Sequence, residues 1–239
     1  MNTDNNKNNF DMIVASLQEE TDLQQKYNEY RTLMAYFRCA IMEVQTKFNV
    51  LNEEFSLQHD RNPISSIQSR LKSIESISRK LKARNIPLTI SNVEKNLSDV
   101  AGVRVICSFT SDVYLLAKAL LKQDDITLVS IKDYIKNPKP NGYRSLHLII
   151  NVPIFLVREK KIMTVEIQLR TIAMDSWAAL EHQLKYKKDN DFSDDMIKEL
   201  YRCARNSANL DMRMDKLKGF VYDEEPDYSL EEYKDKMVI

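Results

Sequence analysis

The apolar and polar positions divide the chain into segments of two periods. From residue 10 to 57 the pattern is helical and free of Gly and Pro, which predicts a long N-terminal helical region. Residues 58–69 (QHDRNPISSIQS) read as a break followed by a short helical lead-in. Residues 70–84 read as a further helix. Ile74, Ile77 and Leu81, at i, i+3 and i+7, form its apolar stripe, and Lys72, Ser76, Lys80 and Arg84 form a polar, basic one. The period then changes. An apolar run after Gly102 predicts a strand, 111–123 a helix, and 126–135 a strand. Pro138, Pro140, Asn141 and Gly142 mark a loop. Strands are expected at 144–152, 154–158 and 162–170, then helices at 172–187 and 193–218. Trp177, Leu180 and Leu184 share one face of the first of these, and Gly219 is placed to cap the second. The fold class expected is α+β: a mixed four- to five-stranded sheet flanked by helices, with long helices at both ends.

Composition narrows this picture. A chain of 239 residues, 43% of them hydrophobic, can bury one sizeable core. The organisation expected is a disordered polar leader (1–9), the helical region (10–57), a core (58–190), a C-terminal helix (191–220) and a mobile acidic tail (221–239). No run reaches the length of a membrane span, and MNTDNNKNNF has no signal architecture, so a cytoplasmic location is expected. Cys39, Cys107 and Cys203 match no zinc spacing and read as reduced, mostly buried thiols. His59-Asp60 is an HD pair, but His147 and His182 are the only other histidines, too few for an HD-type metal centre, so a loop dipeptide is the better reading.

Net charge is zero, which disfavours a stable nucleic-acid partner held through the phosphate backbone. The zero conceals segregation. Between Arg70 and Arg84 six basic residues face Glu75 alone, whereas Asp223–Lys236 sets seven acids against two lysines. A local basic patch in a neutral protein suits a compact anionic ligand.

Four segments are candidates for chemistry. In TVEIQLR, strand alternation puts Thr164, Glu166, Gln168 and Arg170 on one face and Val165, Ile167 and Leu169 on the other. The polar row reads equally as a ligand-facing surface or a solvated sheet face. Asp99, just before Ala101-Gly102 and a strand carrying Arg104, is either a turn cap or one of two carboxylates sharing a hard cation with Glu166. The loop KPNGYRSLH supplies Tyr143 and His147 as planar surfaces and Lys139 and Arg144 as phosphate partners; an ordinary hairpin loop is the alternative. The basic stripe on 70–84 is a phosphate cradle or a solvated helix face. No P-loop and no GxGxxG occurs.

Four stretches together, RLKSIESISRKL (70–81), SDVAGVRVI (98–106), KDYIKNPKPNGYRSLH (132–147) and VEIQLRTIAMDSWAALEH (165–182), resemble in order and spacing the small alarmone synthetases, single-domain members of the RelA/SpoT superfamily. The resemblance runs from about residue 58 to 215. It implies a nucleotidyltransferase-like fold and transfer of the β,γ-pyrophosphate of ATP to the 3′-hydroxyl of GDP or GTP, giving ppGpp or pppGpp and AMP. It implies Arg70 and Arg104 around the adenine, Lys72, Ser76 and Lys80 along the ATP phosphates, and Asp99 on Mg²⁺. Glu166 would share the metal, take the 3′-hydroxyl proton, or both. Tyr143 would stack on guanine, with Lys139, Arg144 and His147 on the acceptor's phosphates or ribose and Gln168 orienting Glu166.

Two departures stand out. Ala83 occupies a position that is often basic, leaving Lys82 or Arg84 to substitute. Asp175 stands where some members have Asn and is expected to accept from guanine. The resemblance also implies a homo-oligomer, a tetramer in the family, and no hydrolase activity. The alternative on the same fold is a toxin-type synthetase that pyrophosphorylates the 3′ end of tRNA.

Overall fold

The computed structural model describes residues 3–59, 61–186, 193–222, 225–234 and 237, with side chains from Gln24 onward except at 58, 59, 185, 186 and 234. Helix α1 (Thr3–His59) leads, and residues 3–9, expected as a leader, continue it. Asp60 of the HD pair lies outside the described residues. Leu33, Phe37, Ala40, Ile41, Val44, Phe48 and Leu51 are buried at spacings of three and four, so one stripe of α1 packs on the sheet. Each large side chain buried this way contributes about 1.5–3 kcal/mol.

Five strands follow: β1 (Ile64–Leu71), β2 (Ala101–Cys107), β3 (Thr127–Asp133), β4 (Leu146–Phe155) and β5 (Lys160–Thr171). They form one mixed sheet in the order β1-β2-β5-β4-β3, with β2 and β5 parallel and the other neighbours antiparallel. α4 (Thr110–Leu121) joins α1 on the core face. α2 (Ile74–Lys82) and α3 (Ile90–Asn96) lie between β1 and β2 in sequence. α5 (Ile172–Tyr186) and α6 (Asp194–Tyr222) pack on each other. α7 (Glu231–Lys234) closes the described chain. The α+β class with five strands and long terminal helices is as expected.

Several elements differ from expectation for physical reasons. Residues 64–71 are a strand, not a helical lead-in, and Arg70 therefore sits on a strand. A bulge between Ile64 and Ser66 resets the alternation, so Ile64, Ile67 and Leu71 acquire helix-like spacing while turning toward the core. β4 is one strand through Pro153. β3 ends its pairing with β4 at Asn151, so the proline lacks an N–H where no β3 partner stands. α3, capped by Thr89, was not expected. α6 runs through Gly219 to Tyr222 instead of ending there, although a helical glycine costs about 1 kcal/mol. Beside it, buried Lys218 bonds Ser111 Oγ (2.8 Å) and Asp112 (3.1 Å) and holds that turn in place.

The tail is not loose. Leu230 and Tyr233 enter the core, Tyr228 meets Tyr114 edge-on and bonds Asp215, and Asp227 pairs with Lys118. Of the α5 apolar face, Trp177 is buried and bonds Leu200 O, whereas Leu180 and Leu184 are exposed. Cys107 is buried, Cys39 half-buried and Cys203 exposed, so the expectation of mostly buried thiols does not extend to Cys203.

Gly142 shows how tightly the 138–145 loop meets α6. Its φ is +90°, and a Cβ there would stand 2.4 Å from the Ala204 Cβ. Gly142→Ala is expected to cost about 1–3 kcal/mol, read as a lower melting temperature. Adding Ala204→Gly should recover the clash but not the backbone strain.

Candidate active site

The open face of the sheet gathers most of the expected residues because of register. Arg70 pairs with Gly102, Gly102 with Glu166, Arg104 with Gln168, and Gln168 with His147. Directly opposed residues share a face, so these side chains form one polar surface while Val165, Ile167 and Leu169 are fully buried beneath it.

At its β1–β2 edge a cleft is lined by Arg70, Gly102, Arg104, Glu166 and Gln168. Gly102 leaves room between the two guanidiniums; a Cβ there would already touch Arg70 Cγ at 3.5 Å. Arg104 is half-buried, and burial together with the charges of Arg170 and Arg70 lowers its pKa despite Asp175. Its Nε is buried with no partner. A slot walled by two planar cations accepts a flat base.

Asp99 lies on the segment leading into β2. Its Oδ2 takes Lys72 Nζ at 2.6 Å and Lys80 Nζ at 2.8 Å, while its Oδ1 is buried with no partner. Burial raises its pKa, but the bonds and charges of the two lysines outweigh that and hold the carboxyl below the usual carboxylate range. Lys72 precedes the N-cap Ser73 of α2, and its N–H bonds Val100 O at 2.8 Å. Ser76 is in the first turn of α2, with Lys80 one turn further on. The basic stripe is thus split between a strand end and a short helix, yet Lys72 and Lys80 converge on Asp99, while the Ser76 hydroxyl meets Ser73 and Arg79. Arg84 does not join them, because its Nη1 donates to Asn96 O at 2.8 Å. Lys82, two residues from Lys80, faces another side of α2.

Glu166 is held at both oxygens. Gln168 Nε2 donates to Oε2 at 3.0 Å and His147 Nδ1 stands 3.5 Å from Oε1. Burial raises its pKa, the His147 and Gln168 contacts lower it, and the balance is a lowered value; the charge of Asp99 opposes this, so the two carboxylates feel each other. Tyr143 OH bonds His147 Nε2 at 2.9 Å. Lys139 Nζ lies 4.7 Å from the ring centroids of both Tyr134 and Tyr143, and Tyr134 is a partner the sequence reading did not name.

Two expected residues are placed otherwise. Arg144 is turned from the open face into a buried ion pair with Asp211 of α6 at 2.8 Å, so it anchors the loop and is not offered to an acceptor phosphate. Arg144→Ala is expected to lower stability by about 3–5 kcal/mol by stranding Asp211, with acceptor affinity little changed in the protein that folds. Asp175 stands at 3.2 Å from Arg170 and 3.4 Å from Arg104, so one of its oxygens is committed to arginines. Asp211 and Arg170 were not singled out as site residues. Only strand alternation pointed to Arg170, and nothing in the pattern pointed to Asp211.

Lysines converging on a carboxylate beside a base-sized slot, with no nucleophile–base pair in the same cleft, mark this as an enzyme that moves phosphoryl groups between nucleotides. Comparison with known proteins agrees. Residues 69–191 match the family model described as the region found in RelA / SpoT proteins. The chain is 42% identical over 193 residues to the GTP pyrophosphokinase YwaC of Bacillus subtilis, spanning 81% of this chain and 92% of that protein. It resembles the crystal structure of small alarmone synthetase 2 from Bacillus subtilis (TM-score 0.73, 40% identity, 80% of this chain and 99% of that one). It also resembles small alarmone synthetase 1 from the same organism bound to its product pppGpp (TM-score 0.70, 33% identity, 77% and 94%). The chain belongs to the RelA/SpoT family, and within it to the small alarmone synthetases.

Proposed function

We propose that this enzyme transfers the β,γ-pyrophosphate of ATP to the 3′-hydroxyl of GDP or GTP. The acceptor oxygen forms a bond to Pβ and gives up its hydroxyl proton to solvent, the bond from Pβ to the α,β-bridging oxygen breaks, and AMP leaves with that oxygen. The observation that carries the reading is the slot lined by Arg70, Arg104 and Glu166, with His147 linking Glu166 to the Tyr143 ring and Asp99 gathering two lysines at the entry to β2.

Arg70 and Arg104 sandwich the adenine. Lys72 and Lys80, with Ser76 in the first turn of α2, neutralise the phosphates. Tyr143 stacks on the guanine, Lys139 reaches the acceptor phosphates, and His147 and Gln168 hold Glu166. Such transfer depends on charge neutralisation and in-line placement rather than covalent chemistry. Asp99 Oδ1, buried and unpartnered, and the carboxylate of Glu166 are the hard oxygen donors that fit Mg²⁺. Among the described residues no group of three or more His, Cys, Asp or Glu forms a denser metal centre. One or two carboxylates suffice for Mg²⁺ in a nucleotide site, where it would neutralise charge developing on the transferred group. The His147 and Gln168 contacts lower the Glu166 pKa against its burial, so the carboxyl is ionised and able to partner a cation.

Among the described residues no helix is long and apolar enough to cross a membrane, in keeping with a cytoplasmic enzyme. Exposed Leu210, Leu217, Phe220 and Val221 on α6 suit a homo-oligomer, a tetramer in this reading. The test is labelled ATP with Mg²⁺ offered with GDP, GTP, adenine nucleotides and bulk tRNA. Label in ppGpp and pppGpp is expected, and label confined to tRNA would overturn the reading in favour of the tRNA-modifying alternative.

A further inference from the structure

Arg170 differs from its neighbours on the open face. It continues the row of Glu166 and Gln168 along β5, yet it is only 4% exposed, too deep to lie flat on a base. What it does instead can be followed atom by atom. Its Nη1 donates to Asp175 Oδ1 at 3.2 Å. Its Nη2 donates twice, to Gln168 Oε1 at 2.9 Å and to Tyr143 OH at 2.5 Å. The guanidinium carbon also sits 5.0 Å from the Tyr143 ring centroid.

Both arms from Nη2 end on Glu166. In one, Gln168 passes the contact on by donating Nε2–H to Oε2. In the other, Tyr143 OH meets His147 Nε2, and His147 Nδ1 faces Oε1. The result is a closed circuit, Arg170–Gln168–Glu166–His147–Tyr143–Arg170.

The circuit has a direction. A guanidinium can only donate. Accepting from it, the Gln168 amide must turn its oxygen to Arg170 and its NH₂ to Glu166; flipped, it would set a carbonyl oxygen against a carboxylate. Accepting from it, the Tyr143 oxygen keeps its own proton to give to His147 Nε2. That donation acts together with the acceptor-only carboxylate of Glu166 in favouring the Nδ1–H tautomer of His147. One arginine thus supports both neighbours of Glu166 as donors.

We propose that Arg170 is a positioning residue for pyrophosphate transfer: by polarising both arms of this circuit it fixes the Glu166 carboxylate and the Tyr143 ring in one relative geometry. The proposal deepens the pyrophosphokinase reading and rests on it. Lysine cannot replace arginine here, because a single ammonium cannot grip Asp175 on one side and two acceptors on the other in the planar fork.

The test uses the full-length enzyme and its Arg170→Met, Arg170→Lys and Gln168→Leu variants. Arg170→Met is expected to lower kcat roughly 10- to 100-fold. It should raise KM for GDP, through the released Tyr143 ring, and leave KM for ATP unchanged. Arg170→Lys should not restore kcat. Arg170→Met combined with Gln168→Leu should lose less than the two single losses added together, because both cut the Arg170–Gln168 link. Independently of turnover, ¹⁵N chemical shifts of His147 should report the Nδ1–H tautomer in the wild type and a shift toward Nε2–H in Arg170→Met.

Wild-type kcat in Arg170→Met, full rescue by lysine, additive losses, or an unchanged His147 tautomer would each overturn the proposal. If Arg170→Met does not fold, Tyr143→Phe cuts the same arm without burying a new group, and the tautomer shift is expected there. A wild-type enzyme that makes no alarmone sinks the pyrophosphokinase reading, whereas the tautomer measurement still decides the role of Arg170.

Discussion

Glu166→Gln is expected to reduce alarmone formation by about 10³-fold or more while ATP still binds. The substitution keeps size and hydrogen-bonding shape and removes one negative charge. Several kcal/mol of charge stabilisation at the reacting group is lost with it, and each 1.36 kcal/mol is tenfold in rate. ATP affinity should persist because Arg70 and Arg104 line the slot independently of that charge. The wild-type acid limb carries a second expectation. Glu166 is depressed below the usual glutamate range, so it stays ionised as pH falls through that range and loses its charge only below it. Activity set by Glu166 should therefore persist to lower pH than an ordinary glutamate allows. Chromatographic assay of ppGpp across pH measures both effects. A Gln variant retaining more than a tenth of wild-type rate would remove Glu166 from the reaction centre.

The legible part of this molecule was the part governed by simple alternation. β5 reads directly: Val165, Ile167 and Leu169 are fully buried, and Glu166 and Gln168 look outward. The helix α1 was legible through its single apolar stripe, and α4 as an apolar run buried around most of its circumference. Edges were harder. β1 is an edge strand whose bulge imitates helical spacing, and Pro153 looks like a strand break until the end of β3 is known. Both depend on what the neighbouring strand does, which local pattern does not contain. The tail was misread because its acidity suggested solvation, whereas Leu230, Tyr233 and Tyr228 find partners on α4 and α6.

The site divides along the same line. Periodicity alone puts Glu166 and Gln168 on one face of β5, and the register brings Arg104 and His147 beside Gln168. Arg144 was misjudged because its partner, Asp211, lies 67 residues away on another helix, and charge type alone does not distinguish a buried ion pair from a phosphate contact. Asp175 was assigned to guanine, yet Arg170 and Arg104 already hold one of its oxygens. In both cases long-range pairing decides what the residue is free to do. The same holds for Asp99, whose surroundings at first admitted a turn cap and whose geometry shows two lysines on one oxygen and nothing on the other.

That asymmetry yields an unusual expectation for Asp99→Asn. Lys72 and Lys80 neutralise Asp99 when no nucleotide is present. In the proposed reaction the phosphates of ATP would compete with Asp99 for those ammoniums, which would free the carboxylate to hold a metal. Removing the charge should therefore act in opposite directions on binding and turnover. Without metal, Asp99→Asn should bind ATP at least as tightly as the wild type, since the lysines no longer have to leave a carboxylate. With Mg²⁺, its kcat should fall by about 10²-fold or more, because a hard oxygen donor is gone. The fold should feel the change as well. The Asp99 pKa is depressed in the native state, so its pairing contributes stability above the unfolded carboxyl pKa and loses it as pH falls through the folded one. Any stability advantage of the wild type over Asp99→Asn should be present at neutral pH and vanish below the usual carboxylate range. Calorimetric titration of ATP in EDTA, steady-state rates in Mg²⁺ and melting temperatures across pH measure the three effects. Weaker metal-free ATP binding in the Asn variant would mean that Asp99 organises the lysines for phosphate instead of competing for them.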